Sequence, residues 1–286
     1  MSTILVFGAS GQLGQCLKVV ANSQGFTSII FLAKAETDIL NKDALNTIFE
    51  TYKPSWCINC AAYTAVDKAE DDIDLARKIN KTGVINLSQL CLHYNTVLVH
   101  ISTDFVFNGN EVIPLDEENI AKPLNIYGLT KLEGEQVITG LLKKYFIVRT
   151  SWLYSEYGDN FVKTMLRLGE ERDELNVIVD QLGTPTYAMD LASCILHIIS
   201  VGSTNYGLYH YSNEGVASWY DFAKAVFDIS TTKIKLLPIS TSQYPTRANR
   251  PAYSVMNKRK IKQAFNIEIP YWRDSLIICI NKLKSL

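Results

Sequence analysis

The sequence has no apolar run near the roughly 20 residues that a membrane-spanning helix requires. Its longest apolar patch, around Leu191–Val201, is interrupted by Ser193, His197 and Ser200. Neither sign of charge is in excess: 28 Lys and Arg stand against 29 Asp and Glu, a formal net charge of -1. That removes the electrostatic footprint expected for nucleic acid or an anionic membrane as partner. No basic leader precedes the strand-like run STILVFG, so it does not read as a signal peptide, and a cytoplasmic protein is expected. Histidine is scarce, at four (93, 100, 197 and 210), with no H-E-x-x-H, and the four read as scattered structural residues. The six cysteines (16, 57, 60, 91, 194 and 279) lie mostly in apolar segments, as buried free thiols do. Cys57 and Cys60 form a C-x-x-C, which raises a metal or redox site. There is no second such pair and no nearby histidine to complete a zinc set, and WCINCAAY reads as a buried strand with its following turn. No metal site is expected. The sequons at Asn80 and Asn86 fall in a helical stretch and read as chance matches.

What is present is a rhythm. Ile4–Phe7, Ile29–Leu32, Trp56–Asn59, Val97–Ile101 and Phe146–Arg149 are short runs rich in Val, Ile and Phe. Between them, Gln12–Ser23, Lys42–Tyr52, Asp72–Tyr94 and Tyr127–Leu142 are apolar at helical spacing. Strands alternating with helices predict right-handed crossovers and an α/β fold with a doubly wound parallel sheet. After residue 150 the rhythm becomes irregular. Helices are expected over Asn160–Glu171, Tyr187–Ser200, Ser218 to about Phe227, and Arg273–Lys284. Strands are expected at Leu175–Val179 and Leu208–Tyr211. Leu236–Arg250 carries Pro238 and Pro245 and is expected to be mostly loop. The economical division is a dinucleotide-binding domain over 1–150, to which part of 175–205 returns, and a smaller substrate-binding lobe over 151–286.

The first strand runs into Gly8-Ala9-Ser10-Gly11-Gln12-Leu13-Gly14. Gly8 allows a tight turn, Gly11 lets a pyrophosphate approach the backbone, and Gly14 lets the helix pack closely on the sheet. The positive end of that helix then faces the phosphates. The second strand ends Phe31-Leu32-Ala33-Lys34, with no acid at its tip. Lys34 is suited to a 2′-phosphate, which points to NADPH over NADH; the alternative is a solvated surface lysine. Asp38-Ile39 is placed to flank the adenine.

The fourth strand ends His100-Ile101-Ser102-Thr103-Asp104, and Tyr127-Gly128-Leu129-Thr130-Lys131 opens the next long helix. The i,i+4 spacing sets Tyr127 and Lys131 on one face, a turn apart. A tyrosine, with a reference pKa of about 10, is a weak acid near neutrality. A fixed ammonium beside it favours the phenolate and is expected to lower that value. The phenol can then protonate an oxygen that gains charge as hydride arrives. Thr103 is suited to hydrogen-bond the same oxygen.

The segments GASGQLG, NCAAYTAVDKAE, HISTDFVFNG, PLNIYGLTKLEGE and RTSWLY together resemble the extended short-chain dehydrogenases. Within them, DNFVKTMLRLGEERDELNVIVDQLGTPTYAMDLA and YPTRANRP resemble the dTDP-4-dehydrorhamnose reductases. The resemblance covers almost the whole chain. It implies a Rossmann-like fold and reduction of the C4 ketone of dTDP-4-dehydro-L-rhamnose. It carries catalysis onto Thr103, Tyr127 and Lys131, with Lys131 also holding the nicotinamide ribose. Gly8–Gly14, Asp38-Ile39 and Ala61-Ala62-Tyr63 would line the cofactor. Thr103 with Asp104, Trp152, Asn160, Gln181 and Arg250 would meet the nucleotide-sugar, arginine through paired donors suited to pyrophosphate. Core packing and a surface charge are the alternatives for Trp152 and Arg250.

Two departures from the family pattern stand out. An acid is common where this chain has Ala33, and its absence favours NADPH. Some members pair subunits through metal-bound glutamates, where this chain reads Cys16 and Met189, so a homodimer here would need other contacts. Two other functions compete. One is a non-catalytic NADP-binding subunit of the kind that regulates methionine adenosyltransferase, against which the intact Thr103, Tyr127 and Lys131 argue. The other is an enzyme of another 6-deoxysugar, a reductase or an epimerase; an epimerase needs further acid–base groups that this sequence does not advertise.

Overall fold

The computed structural model describes residues 3–285. In its first half β1 (Ile4–Phe7), α1 (Gln12–Ser23), β2 (Ile29–Leu32), α2 (Lys42–Tyr52) and β3 (Trp56–Asn59) alternate as the periodicity predicts. The short α3 (Val66–Ala69) follows, then α4 (Ile73–Arg77) and α5 (Gly83–His93), which a π-helical turn at Lys78–Thr82 joins into one helical path. β4 (Val97–Thr103), α6 (Ile126–Leu141) and β5 (Tyr145–Thr150) complete this part. The second half begins with β6 (Leu153–Tyr154), α7 (Phe161–Glu171), β7 (Glu174–Ile178), β8 (Leu182–Gly183) and β9 (Thr186–Tyr187). It continues through α8 (Ala188–Ser200), β10 (Gly207–His210), β11 (Ala217–Ser218), α9 (Trp219–Ser230), β12 (Lys235–Ile239), α10 (Arg259–Phe265) and α11 (Trp272–Leu283).

Six strands form one parallel sheet in the order β10-β5-β4-β3-β1-β2. Successive side chains of a strand face opposite sides, and both sides here are apolar. Val6, Ile58, Val99 and Val148 face α1, α8 and α10 in one core. Leu5, Cys57, Leu98 and Ile147 face the other core, which α2, α5 and α6 close. A separate core gathers Tyr154 and residues of α7, β7, α9 and α11. The chain runs outward from β1 to β2, then returns to place β3 on the other side of β1. Such a reversal opens a crevice at the carboxyl ends of the strands.

The loop expected over Leu236–Arg250 is partly a strand, since β12 pairs in parallel with β7. Pro238 is tolerated because of phase. The Lys235 amide donates to Asp173 O of the neighbouring chain segment, so the odd-numbered residues turn their amides inward. Pro238 stands in the alternate phase, at an edge where its missing N–H costs no ladder bond. Asn80 and Asn86 are buried, at 1% and 3% exposure, as chance sequons would be.

Candidate active site

The crevice is built at the ends of β1 and β3. Gly8 adopts φ +79, and a Cβ on it would lie 2.6 Å from the Ala61 nitrogen. Only glycine allows that turn and that contact together. Gly14 has a different role from the one expected. A Cβ there would lie 2.5 Å from the Gly8 carbonyl oxygen, so Gly14 keeps α1 against the turn itself rather than against the sheet. No side chain caps the N-terminus of α1 and no acid stands in its first turn. The amides at that end are therefore open to an anion. Two adjoining cavities, about 660 and 360 Å³, share Gly8, Ser10, Gly11, Cys60, Ala62 and Thr64.

The larger cavity brings Thr103, Asp104, Tyr127 and Lys131 together with Gln12, Leu13 and Gly14. α6 is fixed at its start from two sides: Asn125 Oδ1 accepts the Gly128 amide at 2.8 Å, and Glu70 Oε1 accepts the Ile126 amide at 2.8 Å. Its flank is held by a buried ion pair, in which Arg149 of β5 donates to Glu135 through Nη2 at 2.7 Å and Nε at 2.9 Å. Ser102 also donates to Glu135, at 2.5 Å. Gly128 permits the close crossing that sets Tyr127 beside Thr103, since a Cβ there would sit 2.2 Å from the Phe105 carbonyl oxygen.

The electrostatics differ from the sequence expectation in one respect. The Tyr127 phenol is pushed up to about 12, chiefly by loss of solvent around the hydroxyl; a hydrogen bond with Thr103 offsets part of this, and the nearby Asp104 adds to it. Lys131 is not a cause of this shift, its side-chain nitrogen being engaged elsewhere. Lys131 Nζ donates to the Ile101 carbonyl at 2.6 Å and lies 3.3 Å from His100 Nε2. Burial pulls Lys131 down to about 8, against the opposing pull of Glu135. Burial likewise pushes Asp104 up to about 6.

At the outer end, Trp152 takes the left-handed φ of 46, a conformation L-residues adopt only when their surroundings impose it. Its ring stacks on Trp219, centroids 3.6 Å apart and planes within 9°, and both rings line the larger cavity. The sequence signals Trp219 only as an aromatic side chain directly after the Ser218 helix cap. Arg250 lines the same cavity, already paired with Asp67: Nη2 meets Oδ2 at 2.5 Å and Nη1 meets Oδ1 at 3.1 Å. That bond is the main cause holding the Asp67 carboxyl below its usual range. Asn160 and Gln181 do not line the cavity. Asn160 caps α7 and donates to Gln12 Oε1 at 2.9 Å. Gln181 is 3% exposed and donates to Thr241 Oγ1 at 3.1 Å.

The smaller cavity is lined by Lys34, Asp38, Ile39, Ala61, Ala62 and Tyr63 among others. Lys34 Nζ stands 3.8 Å from Asp38 Oδ2 and is largely solvated. An acid does reach the tip of β2: Glu36 Oε2 accepts the Ala33 amide at 2.7 Å, from outside this cavity. Cys16 is buried, its thiol pushed up to about 12, and Met189 offers a thioether. Among the described residues no three His, Cys, Asp or Glu side chains converge on a metal position. Nor is any described helix long and apolar enough to cross a membrane.

A family model described as the RmlD substrate binding domain matches residues 1–285. The chain is 43% identical to the dTDP-4-dehydrorhamnose reductase of Aggregatibacter actinomycetemcomitans, over 96% of this chain and 97% of the relative. Its structure matches the dTDP-4-dehydrorhamnose reductase of Clostridium acetobutylicum ATCC 824 with a TM-score of 0.94 and 41% identity, over 99% of each chain. The Bacillus anthracis str. Ames dTDP-4-dehydrorhamnose reductase, solved in complex with NADP, matches with a TM-score of 0.94 and 40% identity, over 99% of this chain and 100% of that one. With a match spanning the chain and relatives this similar over nearly their full length, the chain belongs to the dTDP-4-dehydrorhamnose reductase family.

Proposed function

We propose that this chain reduces the C4 ketone of dTDP-4-dehydro-L-rhamnose with NADPH, giving dTDP-L-rhamnose, in the cytoplasm. One observation carries the reading: Thr103, Tyr127 and Lys131 share a cavity that continues past an uncapped glycine turn into a recess edged by Lys34. The names of the relatives and the NADP complex of one of them support it. The dinucleotide fits these residues, because the open α1 amides suit a pyrophosphate and Lys34 suits a 2′-phosphate. When bound, it would supply the hydride.

The chain's own residues supply the rest. The Tyr127 hydroxyl, protonated throughout the neutral range, gives its proton to the sugar's C4 oxygen. Thr103, hydrogen-bonded with that phenol, orients it, and its hydroxyl hydrogen, given to Asp104 Oδ1 at 3.2 Å, turns to the same C4 oxygen when the sugar is bound. Lys131 turned into the cleft holds the ribose and favours the phenolate that remains. The stacked Trp152 and Trp219 give the sugar a flat apolar wall, and Arg250, oriented by Asp67, meets the pyrophosphate. Asn160 acts through Gln12 and the start of α7.

The test follows NADPH oxidation with a dTDP-4-keto-6-deoxysugar, with and without the preceding 3,5-epimerase. Turnover that requires the epimerase is expected. A folded protein that binds NADPH yet never oxidises it would refute the proposal and leave the non-catalytic reading. Turnover without epimerase would move the substrate to another 4-keto-6-deoxysugar.

A further inference from the structure

Behind Lys131 lies a buried chain of hydrogen-bonding groups that the reaction described above does not use. The Ala61 amide donates to Asn59 Oδ1 at 3.1 Å. Asn59 Nδ2 lies 3.1 Å from His100 Nδ1, and His100 Nε2 lies 3.3 Å from Lys131 Nζ. Lys131 Nζ then donates to the Ile101 carbonyl at 2.6 Å. Asn59 is 1% exposed and His100 is wholly buried.

The order of donors follows from one fixed end. A backbone amide can only donate, so the Asn59 oxygen faces Ala61 and its NH₂ faces the imidazole. His100 Nδ1 must therefore accept, which places the ring's single proton on Nε2. That N–H points at Lys131. A neutral amine has a lone pair to accept it and still donates to Ile101. An ammonium has none, and two donors would confront each other at 3.3 Å between buried side chains.

We infer that His100 is a positioning residue for Lys131: its Nε2–H holds the neutral amine in the recess and turns the ammonium out into the cleft beside Tyr127. The inference rests on the proposed reaction only for what Lys131 does once in the cleft. The other groups facing Lys131 are Glu135 one turn on, which Arg149 neutralises, Tyr127 one turn back, and the Cys60 thiol, kept neutral by burial. Tyr127 and Cys60 carry donors of their own, but the polar groups within hydrogen-bond reach of Nζ among the described residues are His100 Nε2 and the Ile101 carbonyl. Burial in the recess favours the neutral amine, so deprotonation of Lys131 returns it there and the rate of reduction falls on the alkaline side although the phenol stays protonated.

The experiment uses the whole chain with nitrogen-15-labelled histidine, four rings in all, and His100 assigned by its loss in His100→Phe. In the wild type His100 is expected as the neutral Nε2–H tautomer across the neutral range. Asn59→Asp is nearly isosteric and turns both positions into acceptors. It should draw the proton to Nδ1, leave Nε2 free to accept, and trap the ammonium in the recess. The alkaline limb of kcat should then move up by about one pH unit or more while the plateau falls about tenfold. An Nδ1–H or doubly protonated His100 in the wild type would overturn the inference. So would an Asn59→Asp protein in which neither the tautomer nor the limb moves. Should Asn59→Asp fail to fold, the wild-type spectrum alone decides. The spectrum needs no turnover, so failure of the proposed reaction leaves it readable.

Discussion

Gly128 and Gly140 lie on the same helix and invite the same substitution with opposite outcomes. Both are in α6, and neither has positive φ. Gly→Ala in a helix interior stabilises by roughly 0.5–1 kcal/mol through propensity alone. At Gly140 a new Cβ meets nothing within 4 Å, so Gly140→Ala should gain up to that amount. At Gly128 the new Cβ would sit 2.2 Å from the Phe105 carbonyl oxygen, whereas ordinary contact begins at 3.4 Å. The obstacle is backbone and cannot swing aside. The start of α6 or the 3₁₀ turn at Asp104–Val106 must shift by roughly an ångström, and a misplacement of that size can cost about 10²-fold in rate. Such overpacking also destabilises by about 1–3 kcal/mol, more than the propensity gain. The assay is kcat for NADPH-dependent reduction together with urea denaturation of both variants. Gly140→Ala should match the wild type in rate. Gly128→Ala should lose about 10²-fold in kcat and fall in stability. Equal behaviour of the two would refute the argument that Gly128 sets the approach of Tyr127 to Thr103.

Four further outcomes are expected. Tyr127→Phe removes one hydroxyl, so melting should be nearly unchanged while kcat falls by roughly 10²–10⁴; a near wild-type rate would send the search to another acid. Trp152→Ala and Arg250→Ala should raise the KM for the nucleotide-sugar with calorimetric NADPH affinity preserved, and equal loss of cofactor binding would make both residues structural. Lys34→Asp should shift preference toward NADH, read by titrating both reduced cofactors, and an unchanged preference would return Lys34 to a solvated surface role. His210 is buried, and desolvation holds it down to about 3, so the unfolded chain takes up its proton below about 6.5 while the folded chain does not. Stability therefore falls as pH drops through that window, by about 1.4 kcal/mol per unit from this residue. His210→Gln should remove that share of the slope in urea titrations.

The first half of the fold is legible because its signals are local. Ile4–Phe7 and Trp56–Asn59 alternate between two buried faces, and Gln12–Ser23 carries its apolar positions at helical spacing, so element type follows from neighbours a few residues apart. The glycine turn and the Tyr127–Lys131 spacing are local too, which is why the sequence alone indicates the parallel sheet and the candidate catalytic trio. What it could not determine depends on partners far along the chain. β12 is a strand because β7, some 60 residues earlier, pairs with it in the one phase that spares Pro238. Trp219 joins the cleft only because it stacks on Trp152. Arg250 is not a free cation, since Asp67 reaches it from the other half of the chain. Spacing predicts a lowered Tyr127, but spacing carries no information on solvent. Burial raises the phenol instead, and the Lys131 nitrogen is engaged by His100 and the Ile101 carbonyl. Backbone periodicity is written residue by residue, whereas desolvation and the direction of a buried proton are set only when distant segments close around the same atoms.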